Sequence, residues 1–402
     1  TIGEGTPPLE PDRADEAPLS AEEFQGSFGE PLASTLDMGT WQPGENLMAL
    51  YGRLEAEIEE ATKQEDRIRE RIRREIFPLV RSRNGVPNAG VYQARVSEVE
   101  RAHRCVLFNG GIEACDGTSV VHDTLPITIA QIGVCLVSYS GHQGSWVHRL
   151  FRRDLRVSGM DPVQETLEVL DRRMKRSGGR SKQRDRMTEL ARRGIMAFAE
   201  RAVLYQKSEA AWRLGHGNPA PYELITGSGS PELLERSLDL LEDFLGNHRK
   251  FIFVPSAPSD RMLLTIGNAL NPLEYAIVDT LAPQIERVSA GHYRGEWLRL
   301  QERVKGLASC IGANIVVGVY RASVLAPAHM FYAHADHAHE AALIVLADSV
   351  LQEHRGFPML IDLADSVCGA TFGADSFNAM TRLAYSNSGE PFRYESERKT
   401  RS

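Results

Sequence analysis

The apolar stretch from Ile112 to Gly141 contains an Asp-Gly-Thr triplet whose aspartate, Asp116, suits two different roles. Asp-Gly is favoured in tight turns between strands, so the triplet is typical of a strand connection. A carboxylate at the end of a strand is also a typical ligand for a divalent metal ion in a phosphodiester-cleaving site. Further carboxylates that fit such a site are Glu189, on a predicted helix, and Asp362 or Asp365 near the C-terminus.

A histidine-rich stretch offers a second set of metal donors. Between His329 and Glu340 the chain contains His334, His337 and His339, whose ring nitrogens are ligands for transition metals. On a helix, His334 and His337 share one face and His339 points elsewhere. Polar decoration of a loop is therefore the favoured interpretation, and a metal hydrolase centred on His334 and His337 is the weaker alternative.

Two segments have the composition of phosphate-binding loops. The run from Arg172 to Arg186 is basic, although the net charge of the whole chain is −8. It fits either a solvated loop or a loop that contacts a nucleic-acid backbone. The residues that would make those contacts are Arg172, Arg173, Lys175, Arg176, Arg180 and Lys182. The turn TGSGS, Thr226 to Ser230, fits a plain strand-to-helix connection or an anion cradle.

Composition and missing motifs exclude several classes of protein. The 402 residues are 42% hydrophobic and 25% charged, which is typical of a globular protein. Five scattered cysteines without a CxxC pair suit a reducing compartment, and no membrane span or signal peptide is predicted. Cytoplasm is therefore the expected location. The motifs of P-loop ATPases, GxSxG hydrolases and HExxH metalloproteases are absent from the sequence.

The chain divides by composition into three parts. Residues 1–43 are rich in Pro, Gly and acidic residues and predict a mostly flexible arm. Residues 44–90 contain a long amphipathic helix that begins near Asn46 and ends near Pro78, with apolar residues at three- and four-residue steps. Residues 91–402 predict a mixed α/β domain with a central sheet covered by helices, because strand and helix patterns alternate.

The elements of this α/β domain follow from hydrophobic periodicity. The predicted strands are Ile112 to Cys115, Ile127 to Tyr139, Tyr222 to Ile225, Phe251 to Val254 and Ile315 to Tyr320. The predicted helices are Thr188 to Gln206, Pro231 to Leu245, Ala338 to Glu353 and Ser376 to Tyr385.

The order of these elements resembles the NurA nuclease family. The resemblance covers roughly Asn46 to the C-terminus and depends on the order of a long N-terminal helix, a strand with Asp-Gly-Ser/Thr, a Glu-bearing helix and a late aromatic-Pro segment. It implies an RNase H-like fold, a homodimer, Mn²⁺ (or Mg²⁺) as cofactor, DNA as substrate, and a hexameric HerA-type ATPase as partner. It also makes residues 91–402 a NurA-like nuclease domain.

Carried over by position, the resemblance makes Asp116 the first metal-binding aspartate and Glu189 the glutamate of the following helix. Arg321 follows Tyr320 in a late Tyr-Arg motif and would contact DNA. Phe357-Pro358 takes the aromatic-Pro position, and Asp365 stands where the family carries His or Asp.

Two positions depart from the family pattern. Thr226 stands in place of a second metal-binding aspartate, and Ser256 lies near the position of a lysine. Losing a carboxylate weakens the affinity for a divalent ion, and losing the lysine removes a cation that stabilises phosphate. Asp260, Asp362 or Asp365 are the available substitutes.

Two hypotheses remain open. In the first, Asp116, Glu189 and Asp365 form the active site of a Mn²⁺-dependent DNA nuclease subunit that acts in DNA-end processing or anti-phage defence. In the second, the chain is a catalytically depleted adaptor of the same fold, which binds DNA or the ATPase without cutting.

Overall fold

A computed structural model of the chain describes residues 20–41, 47–124, 127–153, 163, 167, 189–256, 261–290 and 297–393. The basic cluster from Arg172 to Arg186, with its predicted DNA contacts, and Asp260 lie outside these ranges. The described residues belong to two compact units, which lie within Leu9–Pro78 and Leu79–Ser402.

The first unit is helical. Within the predicted arm, the described residues form the short helices α1 (Ala21–Phe28) and α2 (Leu32–Thr35) and a 3₁₀ turn at Met38–Thr40. Ser20 caps α1 in a capping box with Glu23, which satisfies two backbone donors at the helix start. The predicted long helix is α3 (Leu47–Glu75), and its outer face carries i,i+4 ion pairs such as Lys63–Glu59.

The second unit contains one mixed sheet. Nine strands of the described chain form it: β1 (Gly90–Gln93), β2 (Ile112–Asp123), β3 (Thr128–Ser138), β4 (Gly141–Arg152), β5 (Trp212–His216), β6 (Phe251–Val254), β7 (Glu274–Thr280), β8 (Ile315–Arg321) and β9 (His329–His334). Their order across the sheet is β1-β7-β8-β9-β6-β5-β2-β3-β4. Strands β2, β5 and β6 are parallel neighbours, and the remaining pairs are antiparallel.

Helices cover this sheet. They are α4 (Phe77–Arg81), α5 (Val96–Ala102), α6 (Met196–Gln206), α7 (Tyr222–Ile225), α8 (Pro231–Asn247), α9 (Arg261–Asn268), α10 (Ala282–Ser289), α11 (Trp297–Cys310), α12 (Ala338–Ser349), α13 (Met359–Phe372) and α14 (Ala374–Ser388). Single π-helical turns at His103–Leu107 and Leu190–Ile195 run directly into the neighbouring elements, and 3₁₀ turns occupy Gly227–Gly229, Gly312–Asn314 and Ala335–His337. Helices α6 and α13 both pack against β2 and β3, which fixes the surroundings of Asp116.

The predicted mixed α/β fold with a central sheet flanked by helices is confirmed. Three local predictions are wrong. Tyr222 to Ile225 is helix α7 and not a strand, because Pro221 starts a helical turn there. Asp116 lies within the long strand β2 and not at a strand end or in a turn. The histidine-rich stretch begins with strand β9, because His329 to His334 pair with β8, and is not a loop throughout. The sequence patterns also did not indicate β1, β4, β5 and β7.

Candidate active site

Parallel pairing of β2, β5 and β6 brings Asp116 next to two residues at the ends of the neighbouring strands. Cys115 pairs with Gly215 in the register of β2 and β5, so Asp116 and His216 occupy adjacent positions. His216 Nδ1 lies 3.4 Å from Asp116 Oδ1, and His216 Nε2 lies 2.9 Å from Ser256 Oγ. His216 also pairs with Val254 at the end of β6, two positions before Ser256. Carboxyl ends of parallel strands meet at one edge of a sheet, which is a common location for functional sites.

A close contact with α6 explains why a glycine, Gly117, follows Asp116. A Cβ atom at this position would lie 2.6 Å from Oε1 of Glu200 and 3.0 Å from Met196 Cγ, both on α6. The absence of a side chain therefore lets the Glu200 carboxylate pack against the face of β2 that carries Cys115, opposite the face of Asp116. The backbone N–H of Gly117 also donates a hydrogen bond of 2.9 Å to Asp116 Oδ1, which holds the carboxylate in place.

Glu200 is a buried carboxylate that is paired with a buried cation. Its neighbour Arg201 donates a hydrogen bond from Nη1 to Glu200 Oε2, and both residues are less than a tenth exposed. Arg201 is held in turn by the backbone carbonyls of Asn218 at 2.6 Å and His216 at 3.2 Å, and its guanidinium stacks over Phe253. Burial raises the pKa of Glu200 to about 7, with a further contribution from the negative charge of Asp116 and an opposing one from Arg201.

Asp365 is a second acidic residue close enough to Asp116 to feel its charge. It lies on α13 at an exposed position, and partial burial together with the charge of Asp116 raises the pKa of its carboxyl group. Phe357, which is buried just before α13, packs edge-to-face against His216 with ring centroids 6.1 Å apart. The predicted site residues Asp116 and Asp365 are therefore electrostatic neighbours.

His216 is positioned by contacts on both ring nitrogens. Burial disfavours its protonated form, but the hydrogen bond and charge of Asp116 outweigh this effect and raise the pKa of the imidazole. Sequence patterns missed His216 because the strand that carries it, WRLGH, is short and contains glycine and arginine. The sequence feature that could have indicated His216 was its position after the Glu-bearing helix, where the NurA resemblance predicts a strand.

Glu189 and Thr226 have surroundings different from those of Asp116. Glu189 directly precedes the π-helical turn Leu190–Ile195, and its Oε1 lies 3.6 Å from Arg193 Nη1, about three helical turns before Glu200. Its role as a metal ligand stays a prediction, whereas Glu200 is the carboxylate of this helix that reaches β2 at Gly117. Thr226 is buried at the end of α7, where its hydroxyl donates to the carbonyl of Tyr222.

Two other predicted residues make structural contacts. Asp362 accepts both guanidinium branches of Arg355, so its charge is already compensated. Arg321 donates to backbone carbonyls of Ser323 at 3.2 Å, Val324 at 3.1 Å and Leu270 at 3.2 Å. These bonds anchor the chain after β8, and a DNA contact by Arg321 stays a prediction.

His334, His337 and His339 lie at or beyond the opposite end of the central strands, whereas His329 packs on Phe357 near His216. Ala333 of β9 pairs with Ile252 near the start of β6, whereas His216 and Ser256 follow the strand ends. His339 Nδ1 bonds Tyr275 at 2.9 Å and His337 Nδ1 lies 3.5 Å from Glu340, so these histidines have separate partners. A surface cavity of about 490 Å³ is lined in part by these residues and is remote from Asp116.

The donor chemistry at Asp116 suits a divalent cation. Across the described ranges, no group of three or more His, Cys, Asp or Glu side chains is arranged to hold a metal ion. Asp116 and Asp365 supply two of the oxygen donors that Mg²⁺ and Mn²⁺ accept. Glu200 lies against the opposite face of β2 and does not add a third. Burial is the main cause of the raised pKa values of Glu200 and Asp365, and the charge of Asp116 contributes less.

Replacing Gly117 by alanine is a direct test of the approach between Glu200 and β2. The added methyl group would displace the Glu200 carboxylate, because its Oε1 lies 2.6 Å from the Cβ position. We expect the free energy of unfolding, measured by urea titration, to fall by about 1–3 kcal/mol, because the close contact overpacks this face of β2. Gly306→Ala is the matched control, since a Cβ atom there meets nothing within 4 Å. Equal stability of both variants would contradict this role of Gly117.

Comparisons with known proteins give similarities of fold. No protein-family profile and no curated protein matches the chain. Among solved structures, the chain is similar to the NurA nuclease from Sulfolobus solfataricus, with 11% identity, a TM-score of 0.46, and coverage of 84% of this chain and 97% of that one. A NurA structure with manganese is 10% identical with a TM-score of 0.37, covering 72% and 96% of the two chains.

A third similar structure is endonuclease V from Ciona intestinalis in complex with a 24mer DNA that contains inosine. It is 12% identical, has a TM-score of 0.27 and covers 68% of this chain and 93% of that one. No helix in the described parts of the chain is both long enough and apolar enough to cross a bilayer.

Proposed function

We propose that this chain is a NurA-like, divalent-metal-dependent DNA nuclease whose active site is centred on Asp116 and Asp365. The observation that supports the proposal most is the meeting of Asp116 with His216 at the carboxyl end of β5, where the parallel strands β5 and β6 end. Asp365 of α13 is the acidic residue whose charge couples to Asp116 there. The chemistry that Mn²⁺ or Mg²⁺ supplies in such sites is activation of water and neutralisation of charge on the scissile phosphate.

The residues of the chain have distinct tasks in this proposal. Asp116, fixed by the Gly117 N–H, and Asp365, at the exposed side, would hold the cation where a DNA strand can approach. Arg201 balances the charge of Glu200 against the opposite face of β2. The basic residues between Arg172 and Arg186 would contact the DNA backbone, and their contribution would weaken with salt.

The proposal extends to partners. The sequence has no Walker A motif, so directional movement of DNA would require a separate motor, for which the NurA resemblance implies a HerA-type hexameric ATPase. Helix α3 offers an apolar surface for such a partner or for a homodimer, because Tyr51, Leu54, Ile58 and Ile68 are each more than half exposed. DNA-end processing and anti-phage defence are the two biological roles that this assembly would serve.

An adaptor without catalysis is the second candidate function. The ion pair between Glu200 and Arg201 favours it, because a carboxylate that is already neutralised gains less from a metal ion. In that case the chain would bind DNA or the ATPase through Arg172 to Arg186 or through α3. Substitution of Asp116 would then leave its function unchanged.

A cleavage assay separates the two candidates. The full chain, alone and with a HerA-type ATPase, is incubated with end-labelled single- and double-stranded DNA in Mn²⁺, Mg²⁺ or EDTA. We expect cleavage with Mn²⁺ and none with EDTA. Intact DNA under every metal, together with DNA binding by fluorescence anisotropy, would overturn the nuclease proposal and support the adaptor.

A further inference from the structure

Among the described strands, β4 forms one edge of the sheet, and most of it projects beyond the ends of β5 and β6. Strand β5 pairs with β2 at residues 112–115, whereas β2, β3 and β4 stay paired as far as the end of β4. Ser145 pairs with Cys135, and Cys135 pairs with Asp116, so these three residues form one row across the sheet. The edge at Ser145 is therefore about 10 Å from Asp116, and Phe151 lies about 20 Å further along β4.

This edge strand is basic, although the chain as a whole is acidic. Residues 141–153 contain three arginines and two histidines but no aspartate or glutamate, whereas the net charge of the chain is −8. Arg149 Nε donates a hydrogen bond of 2.7 Å to the side-chain oxygen of Gln131, and Arg149 Nη2 contacts Met380 Sδ at 3.4 Å. Both partners are neutral, so these contacts hold the guanidinium in place without neutralising its charge. Arg153, directly after the strand, is exposed.

Exposed apolar side chains alternate with these charges. Phe151 is 62% exposed and Val147 is 47% exposed. The pairing register places Val147, Arg149 and Phe151 on the same face of the sheet as Asp116. An exposed aromatic ring beside fixed positive charge is the combination that binds single-stranded nucleic acid, because bases stack on the ring and cations contact the phosphates. Another protein strand is a poorer fit, since charged side chains on an edge strand disfavour further strand pairing.

We propose that the edge of β4, through Arg149, Phe151 and Arg153, binds single-stranded DNA on its path to Asp116. The two arginines contact phosphates, and Phe151 stacks on a base. At a rise of about 3.4 Å per nucleotide, the distance of about 20 Å along β4 spans about six nucleotides. The inference rests on the proposed function for the choice of DNA, but it concerns binding and does not require that DNA is cut.

DNA binding in EDTA tests the inference without reference to catalysis. The full chain is titrated into a fluorescein-labelled oligodeoxythymidine of about 20 nucleotides, which exceeds the length that β4 spans, and anisotropy is followed at several NaCl concentrations. A duplex of the same length is the competitor. We expect the single strand to bind more tightly than the duplex, because the bases of a duplex are already stacked on one another.

Two kinds of variant separate stacking from charge. Phe151→Ala should weaken single-strand binding by about 5-fold or more and leave its salt dependence unchanged, because it removes a stacking surface but no charge. Arg149→Gln and Arg153→Gln should each lower the slope of log Kd against log salt by about 0.7, because each removes one phosphate contact.

Phe28→Ala and Arg236→Gln are the matched controls, and both should bind the single strand as the wild type does. Phe28 is 69% exposed on α1, and Arg236 is exposed on α8. Thermal unfolding establishes that each variant is folded.

The outcomes distinguish the inference from the proposed function. If the β4 variants bind the single strand as tightly as the controls do, or if the wild type prefers the duplex, the inference is overturned, and cleavage by the wild type would still support the nuclease proposal. If the β4 variants change the mass of the protein in sedimentation but keep its DNA affinity, β4 is a contact between copies of the chain and the inference is also overturned. Single-strand binding that depends on β4, without cleavage under any metal, would support the inference and overturn the nuclease proposal.

Discussion

Asp116→Asn is expected to abolish metal-dependent DNA cleavage while leaving the protein folded. The asparagine keeps an oxygen that can accept the 2.9 Å hydrogen bond from Gly117 N–H, so the strand geometry should persist. What it removes is the negative charge that would attract a divalent cation. Metal ions contribute several kcal/mol to transition-state stabilisation in phosphodiester cleavage, so we expect a decrease in rate of about 10³-fold or more.

The comparison for Asp116→Asn is made at saturating Mn²⁺ with the same labelled DNA. Asp243→Asn serves as the control. Asp243 is an exposed carboxylate on α8, and its substitution removes the same charge from the chain. Circular dichroism and thermal unfolding establish that both variants are folded. Cleavage by Asp116→Asn at the wild-type rate would show that any nuclease activity arises elsewhere.

The sequence suggested Asp116 as a candidate site residue but did not predict its structural setting. Its position between an apolar strand pattern and a Glu-bearing helix indicated a site, and α6 and α13 indeed pack against β2 and β3, around it. Asp-Gly, however, suggested a turn, because the dipeptide has that local preference. In the structure the glycine lies within β2 and is required by the close approach of Glu200, a tertiary contact that local patterns do not encode.

The partners of Asp116 were harder to predict for two physical reasons. Glu189 and Glu200 belong to one continuous helical segment, and its π-helical turn at Leu190–Ile195 changes the direction in which each side chain points. The short apolar segment Tyr222 to Ile225 is ambiguous between strand and helix, so Thr226 was predicted to follow a strand although it follows helix α7. Pairing of β5 with β2, which brings His216 to Asp116, is a long-range feature.

Arg201→Met is expected to lower the free energy of unfolding by about 3–5 kcal/mol, because it leaves the buried Glu200 carboxylate without its cation. Methionine retains apolar packing against Phe253, so the loss should come mainly from the charge. The measurement is a urea titration in EDTA. Arg303→Met is the control, since Arg303 pairs with Asp239 and Glu242 near the surface and should contribute about 1 kcal/mol or less.

The pH dependence of the stability of Arg201→Met tests whether Glu200 causes the destabilisation. The folded-state pKa of Glu200, about 7, lies above its ordinary value of 4.5, so its contribution to stability is complete below about pH 4.5 and is lost as the pH rises towards 7. Without Arg201 the pKa of Glu200 rises further, and the destabilisation should therefore be larger at pH 8 than at pH 5. In Glu200→Gln/Arg201→Met the pH difference should vanish and part of the stability should return. If the loss of stability in Arg201→Met is the same at both pH values and Glu200→Gln does not relieve it, packing is its cause. The charge of Glu200 would then make no contribution to the effect of Arg201.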